Sequence, residues 1–258
     1  MARSGLKSRY RGWLAWWFLL LPVWVAAAEP IATVPTAGRA VALTFDDGPS
    51  PRYTPPILQL LAQYRARATF FVLGAHAWKY PALTARIAAA GHELGNHTWS
   101  HPHLAGCDPR ELAQELGRTE LALALLGLPP GCLFRPPYSE VCAQLKLYLE
   151  ATHRRLVLWT IDAGDYLGLS GPEIAWRVLQ QLQPGAIIVF HDSDESEQAD
   201  RRPTIAALEL LLPYFRDQGW DLVTVSELLA RGSYPRPGAY QAIRSASPGG
   251  LPSPRHNP

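Results

Sequence analysis

The sequence predicts an α/β fold of about seven parallel strands in a single domain, and three observations carry that expectation. Short β-branched or apolar runs alternate with longer segments of helical period. Proline or glycine stands at most of the boundaries between them. The chain of 258 residues is 48% hydrophobic and 18% charged, enough to bury a sizeable core and unlike a disordered, collagen-like or coiled-coil composition.

Taken in order, the strands are expected at Ala40–Phe45, Ala68–Leu73, Glu93–Asn96, Leu133–Arg135, Leu156–Ile161, Ala186–Phe190 and Leu222–Val225. Six apolar-periodic stretches fit helices between them: 55–64, 81–90, 109–126, 140–152, 172–182 and 204–218. Strand–helix repetition with short connections builds either a closed barrel or an open doubly wound sheet, and the barrel is the expectation here.

The two ends differ in composition from this middle. Arg3, Lys7, Arg9 and Arg11 precede sixteen uncharged residues, 13–28, which end in Ala26-Ala27-Ala28. Basic, apolar and small-residue regions in that order read as an export signal over residues 1–28, cleaved after Ala28. The protein is then expected to be periplasmic or extracellular, or membrane-anchored if the segment is retained. Residues 29–38 form a lead, 39–232 the folded α/β domain, and 233–258 a tail rich in Ser, Pro and Gly that is expected to be disordered.

The formal charge of +2 depends on the four N-terminal basic residues. Without them the 22 acidic residues outnumber the remaining basic ones by two, so nothing points to a nucleic-acid partner. Three cysteines are too few for a disulfide scaffold; at most one pair can form, and in an oxidising compartment Cys132 with Cys142 is the expected one.

Polar residues interrupt the apolar pattern at corresponding places. Asp46 and Asp47 follow the first strand, His97 and His101 the third, and Arg135 the fourth; Asp162 and Asp165 follow the fifth, and His191 and Asp192 the sixth. In an α/β barrel the residues just past the strand C-termini share one rim, so these groups are expected to converge. Adjacent Asp46 and Asp47 form a pair of like charges, unfavourable unless a cation lies beside them. His97 and His101 stand four apart, on one face if the segment is a helical turn, and Pro102 restricts that segment to a single turn or an irregular loop. One carboxylate with two imidazoles leaves coordination positions open, the ligand set of a catalytic metal site, and suits zinc, cobalt or nickel. Pro136 pushes Arg135 toward an extended backbone, and a fixed arginine near two carboxylates is expected to pair with one in bidentate fashion. His92 and His103 are expected to be packing or surface residues.

Five ordered segments, Thr44-Phe45-Asp46-Asp47-Gly48-Pro49, His97-Thr98-Trp99-Ser100-His101-Pro102, Arg135-Pro136-Pro137-Tyr138, Asp162-Ala163-Gly164-Asp165-Tyr166 and Val189-Phe190-His191, resemble the motifs of the polysaccharide deacetylases. These are the carbohydrate esterase family 4 or NodB-homology enzymes, and the resemblance covers residues 39–232. It implies a distorted (β/α) barrel and metal-dependent removal of acetyl groups from N-acetylated sugars of peptidoglycan, chitin-type chains or poly-N-acetylglucosamine. It makes Asp47, His97 and His101 the metal ligands, with Zn2+ first and Co2+ or Ni2+ also suited. It makes Asp46 the general base, His191 the general acid, Arg135 the partner of Asp46 and Asp165 the partner of His191. Tyr138 would give its amide to an oxyanion, Trp99, Tyr138 and Tyr166 would wall the sugar groove, and Arg67 would support the Asp165–His191 pair. Tyr166 departs from a tryptophan common in the family, and Ser139 from a glycine. The alternatives are an O-acetyl esterase on xylan or another glycan and a non-catalytic glycan-binding module. The expected partner is an N-acetylated glycan, with no obligatory protein partner.

Overall fold

The computed structural model describes residues 29–129 and 131–232; the expected export signal and tail lie outside the described residues. Seven parallel strands form a curled half-barrel: β1 (Ala40–Asp46), β2 (Ala68–Val72), β3 (Glu93–Asn96), β4 (Leu133–Phe134), β5 (Arg155–Leu156), β6 (Ile161–Asp162) and β7 (Ile187–His191). Their order is β5-β4-β3-β2-β1-β7-β6, and a two-residue strand, β8 (Asp221–Leu222), pairs with the foot of β1.

All seven residues of β1 are buried, because the strand is covered on both faces. Val41, Leu43 and Phe45 point outward, into the layer shared with α1 (Thr54–Gln63), α6 (Gly171–Gln181) and α7 (Arg202–Asp217). Phe45 stacks between Phe70 and Phe190 there, with ring centroids 4.9 and 5.8 Å away. The alternate residues Ala40 and Ala42 face the barrel interior with Phe71, Leu133, Val157 and Ile187. The same period of two carries Thr44 and Asp46 to the inner face, at the C-terminal end of the strand.

The helix starts explain why most helices were readable. Proline stands in the first turn of α1, α3 (Pro81–Ala89), α4 (Pro109–Leu125), α6 and α7; α4 is also capped by Asp108, and α6 by a Ser170–Glu173 capping box. Between α4 and α6 lies α5 (Ala143–Ala151). Two further helices appear beyond the six expected: α2 (Gly74–Lys79) and α8 (Val225–Arg231). The latter corrects the expected strand over 222–225, since Thr224 and Glu227 form a capping box that starts a helix at Val225.

The expected strand over 156–161 is also corrected, because its two ends belong to opposite edges of the sheet. β5 pairs with β4 and β6 with β7, while residues 157–160 cross the opening between them. The lead lies across that opening. Ile31 N–H donates to Leu156 O and Ile31 O accepts from Leu158 N–H, both at 2.8 Å, and Val34 N–H donates to Gly185 O at 2.9 Å. Thr160 Oγ1 donates to Ala32 O as well. The lead therefore satisfies backbone groups that the open edges would leave unpaired.

Among the cysteines, Sγ of Cys142 lies 3.6 Å from Sγ of Cys107, both as free thiols. Cys132 is exposed beside β4, so the expected pairing of Cys142 with Cys132 is corrected: its sulfur neighbour is Cys107. The reason is that Cys142 caps α5, accepting from Leu145 N–H, and this turns its sulfur toward the α4 side.

Gly185 has φ +80°, and a methyl group on it would collide with the Val34 carbonyl oxygen; Gly219, at φ +66°, has open space around it. Both alanine variants should lose the roughly 1 kcal/mol expected of a left-handed alanine, and Gly185→Ala should lose clearly more. Urea unfolding midpoints would check this, and equal losses would show that the lead is not seated on the barrel.

Candidate active site

The C-terminal ends of the strands deliver the expected residues to one place. Asp46 ends β1 and Asp47 follows it, His97 follows β3, Arg135 follows β4, and His191 ends β7. A cavity of about 410 Å³ opens here, lined by Asp46, Asp47, His97, His101, Tyr138, Tyr166 and His191 among others. Arg135, Asp165 and Trp99 do not line it. The first two stand behind Asp46 and His191, and Trp99 lines a separate surface cavity with Trp78 and Arg118.

Asp47 Oδ1 lies 3.3 Å from Nε2 of His97 and 3.3 Å from Nε2 of His101, and the three ligand atoms are within 4.8 Å of one another. Asp47 Oδ1 is buried without a hydrogen bond, which is costly unless a cation completes it. His97 Nδ1 is 2.7 Å from Arg135 O. A carbonyl only accepts, so Nδ1 carries the proton and Nε2 keeps its lone pair toward the site. The segment is an irregular loop, and the two imidazole centroids are 5.1 Å apart. Burial by itself would raise the Asp47 carboxyl, but the imidazoles of His97, His191 and His101 around it hold it well below the usual carboxylate range. These donors suit a divalent cation.

Asp46 meets Arg135 differently from the expected bidentate pair. Nη1 alone reaches Asp46 Oδ1, at 2.7 Å, and it also donates to Thr44 Oγ1 at 2.7 Å. Nε and Nη2 are taken by the carbonyls of Val157 and Leu158, at 3.4 and 3.1 Å. The cause lies in the fold: residues 157–160 cross the barrel opening, and the guanidinium supplies donors to carbonyls there. It is fully buried, with its central carbon 4.1 Å from the Phe71 ring centroid.

The third group is His191. Its Nδ1 is 2.8 Å from Asp165 Oδ1, while Asp165 Oδ2 accepts from the His191 N–H and from Thr204 Oγ1, each at 2.8 Å. Burial works against the imidazolium, but the charge and hydrogen bond of Asp165, with the charges of Asp47 and Asp46, push its pKa up to about 9. Arg67 does not support this pair. It lies at the foot of β2, paired with Glu227, and Arg201 fills the place instead, donating to Ser193 O at 2.9 Å and to Asp165 O at 3.4 Å.

A family-model comparison matches residues 33–157 to "Polysaccharide deacetylase". A peptidoglycan-N-acetylglucosamine deacetylase of Bacillus cereus is 35% identical over 206 residues, covering 80% of this chain and 74% of the relative. A chitooligosaccharide deacetylase of Sinorhizobium fredii is 36% identical over 201 residues, covering 74% and 93%. The chain belongs to the polysaccharide deacetylase family. A solved peptidoglycan N-acetylglucosamine deacetylase, in complex with 4-naphthalen-1-yl-N-oxidanyl-benzamide, superposes with a TM-score of 0.74 at 33% identity, covering 81% of this deacetylase and 96% of that chain.

In this deacetylase several supporting residues carried no signal in the sequence. His76 Nδ1–H donates to Asp47 O at 2.7 Å. Glu115 accepts from the N–H groups of Trp99 and Ser100, each at 2.9 Å, and Asn96 Oδ1 from Thr98 N–H at 2.8 Å. Thr54 donates to buried Asp192, whose pKa is raised to about 7 by burial and the charges of Asp47 and Asp46 against that hydrogen bond. Of these, Asp192 is marked by the rim pattern and Asn96 adjoins His97. His92 is a packing residue, with Nδ1 accepting from Ala68 N–H at 3.2 Å, and His103 is an exposed one, stacked on Tyr138 with centroids 4.1 Å apart.

His191 titrates at about 9 in the fold against an ordinary 6.5. Its pairing therefore stabilises the fold in full below pH 6.5, and that contribution is lost as pH rises through about 9. Asp165→Asn should lose more stability relative to the parent chain at about pH 6 than at about pH 10, with the imidazole titrating at lower pH in NMR. An unchanged His191 titration would contradict the coupling.

Proposed function

We propose that this chain removes acetyl groups from N-acetylated sugars of a cell-envelope polysaccharide or its oligosaccharides, releasing acetate and a free amine. The observation that carries the reading is the arrangement in one cavity: an Asp-His-His ligand set between a carboxylate held by a buried arginine and a histidine held by a buried aspartate. The names of the relatives support an N-acetylated glycan of the peptidoglycan or chitooligosaccharide type. Zn2+ is the proposed metal, and the basic and apolar N-terminus supports export.

A divalent cation on Asp47, His97 and His101 would supply Lewis acidity, polarising the acetyl carbonyl and lowering the pKa of water toward about 7. Asp46 is the proposed base. Its Oδ1 is held by Arg135, so the carboxylate is directed as it takes the proton of the attacking water. The Tyr138 amide, turned by a φ of +54°, would donate to the oxyanion of the tetrahedral intermediate. His191, with Nδ1 on Asp165, would donate its Nε2 proton to the leaving nitrogen as the C–N bond breaks.

Acetate release from N-acetylglucosamine oligomers, from peptidoglycan and from an O-acetylated xylan, with and without added zinc, tests the reading. Zinc-dependent release from an N-acetylated substrate is expected, and release from xylan alone would overturn it. Asp46→Asn should lower kcat by about 100-fold or more with metal content unchanged, the range for a general base. Asp47→Asn should lower both activity and metal content. Equal metal loss in the two variants would contradict this division of roles.

A further inference from the structure

The cavity is lined by several carboxylates, and all but one of those outside the ligand set are engaged. Asp46 is held by Arg135. Asp162 accepts from Gly164 N–H at 2.8 Å and Tyr166 Oη at 2.7 Å. Asp194 accepts from Ala199 N–H at 2.9 Å and from Ser196 Oγ. Glu195 also lines the cavity, is exposed, and makes no hydrogen bond or ion pair among the described residues. Its charge is felt at His101 and Tyr138, which line the same cavity.

Among the described residues that line the cavity no unpaired cation offsets it, since His191 is held by Asp165. Arg201 is the one arginine there and is buried, with its donors on the carbonyls of Ser193 and Asp165. The loop is anchored as well. Glu197, two residues on, accepts from Lys79 Nζ and Tyr80 Oη, each at 2.6 Å, and lies 3.5 Å from His76 Nε2. Glu195 is thus an unpaired negative charge, on an anchored loop, at the mouth of the proposed substrate cavity.

Deacetylation turns a neutral acetamide into an amine that is protonated near neutral pH, so a partly processed glycan carries cations that the starting chain lacks. We propose that Glu195 is a specificity-determining residue that favours glycans bearing a free amino group beside the reacting N-acetyl unit. By the same charge it disfavours chains bearing a carboxylate there, such as the lactyl ether of N-acetylmuramic acid. The inference rests on the deacetylase reading given above. Each turnover then improves the chain as a substrate for the next.

The test compares kcat/KM for a fully acetylated N-acetylglucosamine tetramer with that for a tetramer carrying one free amine, in the wild type and in E195Q and E195K. An exposed ion pair predicts a wild-type preference of about three- to fivefold for the amine-bearing tetramer. E195Q should abolish the preference, E195K should reverse it, and a salt concentration of about 0.5 M should weaken it in the wild type. Thermal unfolding confirms that each variant is folded, and E195K carries the test if E195Q is not. The same preference in the wild type and both folded variants would overturn the proposal, as would a wild type with no preference at low salt. A wild type inactive on both tetramers would overturn the deacetylase reading instead, so the two failures are distinguishable.

Discussion

A single buried guanidinium sets the terms for the rest of the molecule. Arg135 fills the interior of a half-barrel whose inner face is kept small by Ala40 and Ala42 on β1, and its donors reach Thr44, Asp46 and the carbonyls of Val157 and Leu158. Taking that cation out of water is worthwhile only because these partners are all present, and removing one side of a buried pair typically costs about 3–5 kcal/mol. Arg135 acts through its main chain too, since its carbonyl fixes the His97 tautomer. One residue thus orients the carboxylate proposed as base and one of the proposed metal ligands.

The site carries backbone strain that the scaffold must sustain. Eight described non-glycine residues have positive φ, and five of them, Asp47, Thr98, His101, Tyr138 and Ser139, belong to the cavity or its ligand loop. Thr98 is the costliest of these, being β-branched. It is held by the Asn96 side chain on its N–H and by Gly74 N–H on its carbonyl, at 2.8 and 2.9 Å. Ser139, at φ +60°, stands where relatives of the resembled family often have glycine, and that conformation explains the preference.

What could be read from the chain follows from the range of each interaction. β1 with its two aspartates, the paired histidines and the arginine before two prolines are local patterns, and the βα repeat says that strand ends share a rim. Helices with proline or capping residues at their starts were legible for the same reason. The closure of the barrel was not, because it depends on the lead meeting residues more than 120 positions away, and an apolar run over 156–161 looks like one strand whichever edges it joins. The supports of the site escaped as well. Arg201, Thr204 and His76 sit in ordinary helical or loop sequence, and only the fold brings them against Asp165 and Asp47. Trp99 shows the opposite error: it stands between the two histidines in the chain, yet its ring turns away, to lie 4.2 Å from the Arg118 guanidinium.

His76 joins two parts of the active site that are distant in sequence. One ring nitrogen holds the carbonyl of Asp47, and the other faces Glu197, which anchors the loop carrying Glu195. A single imidazole ring therefore works as a strut between the floor of the cavity and its lip. A displacement of the lip would reach the main chain of Asp47 through one ring.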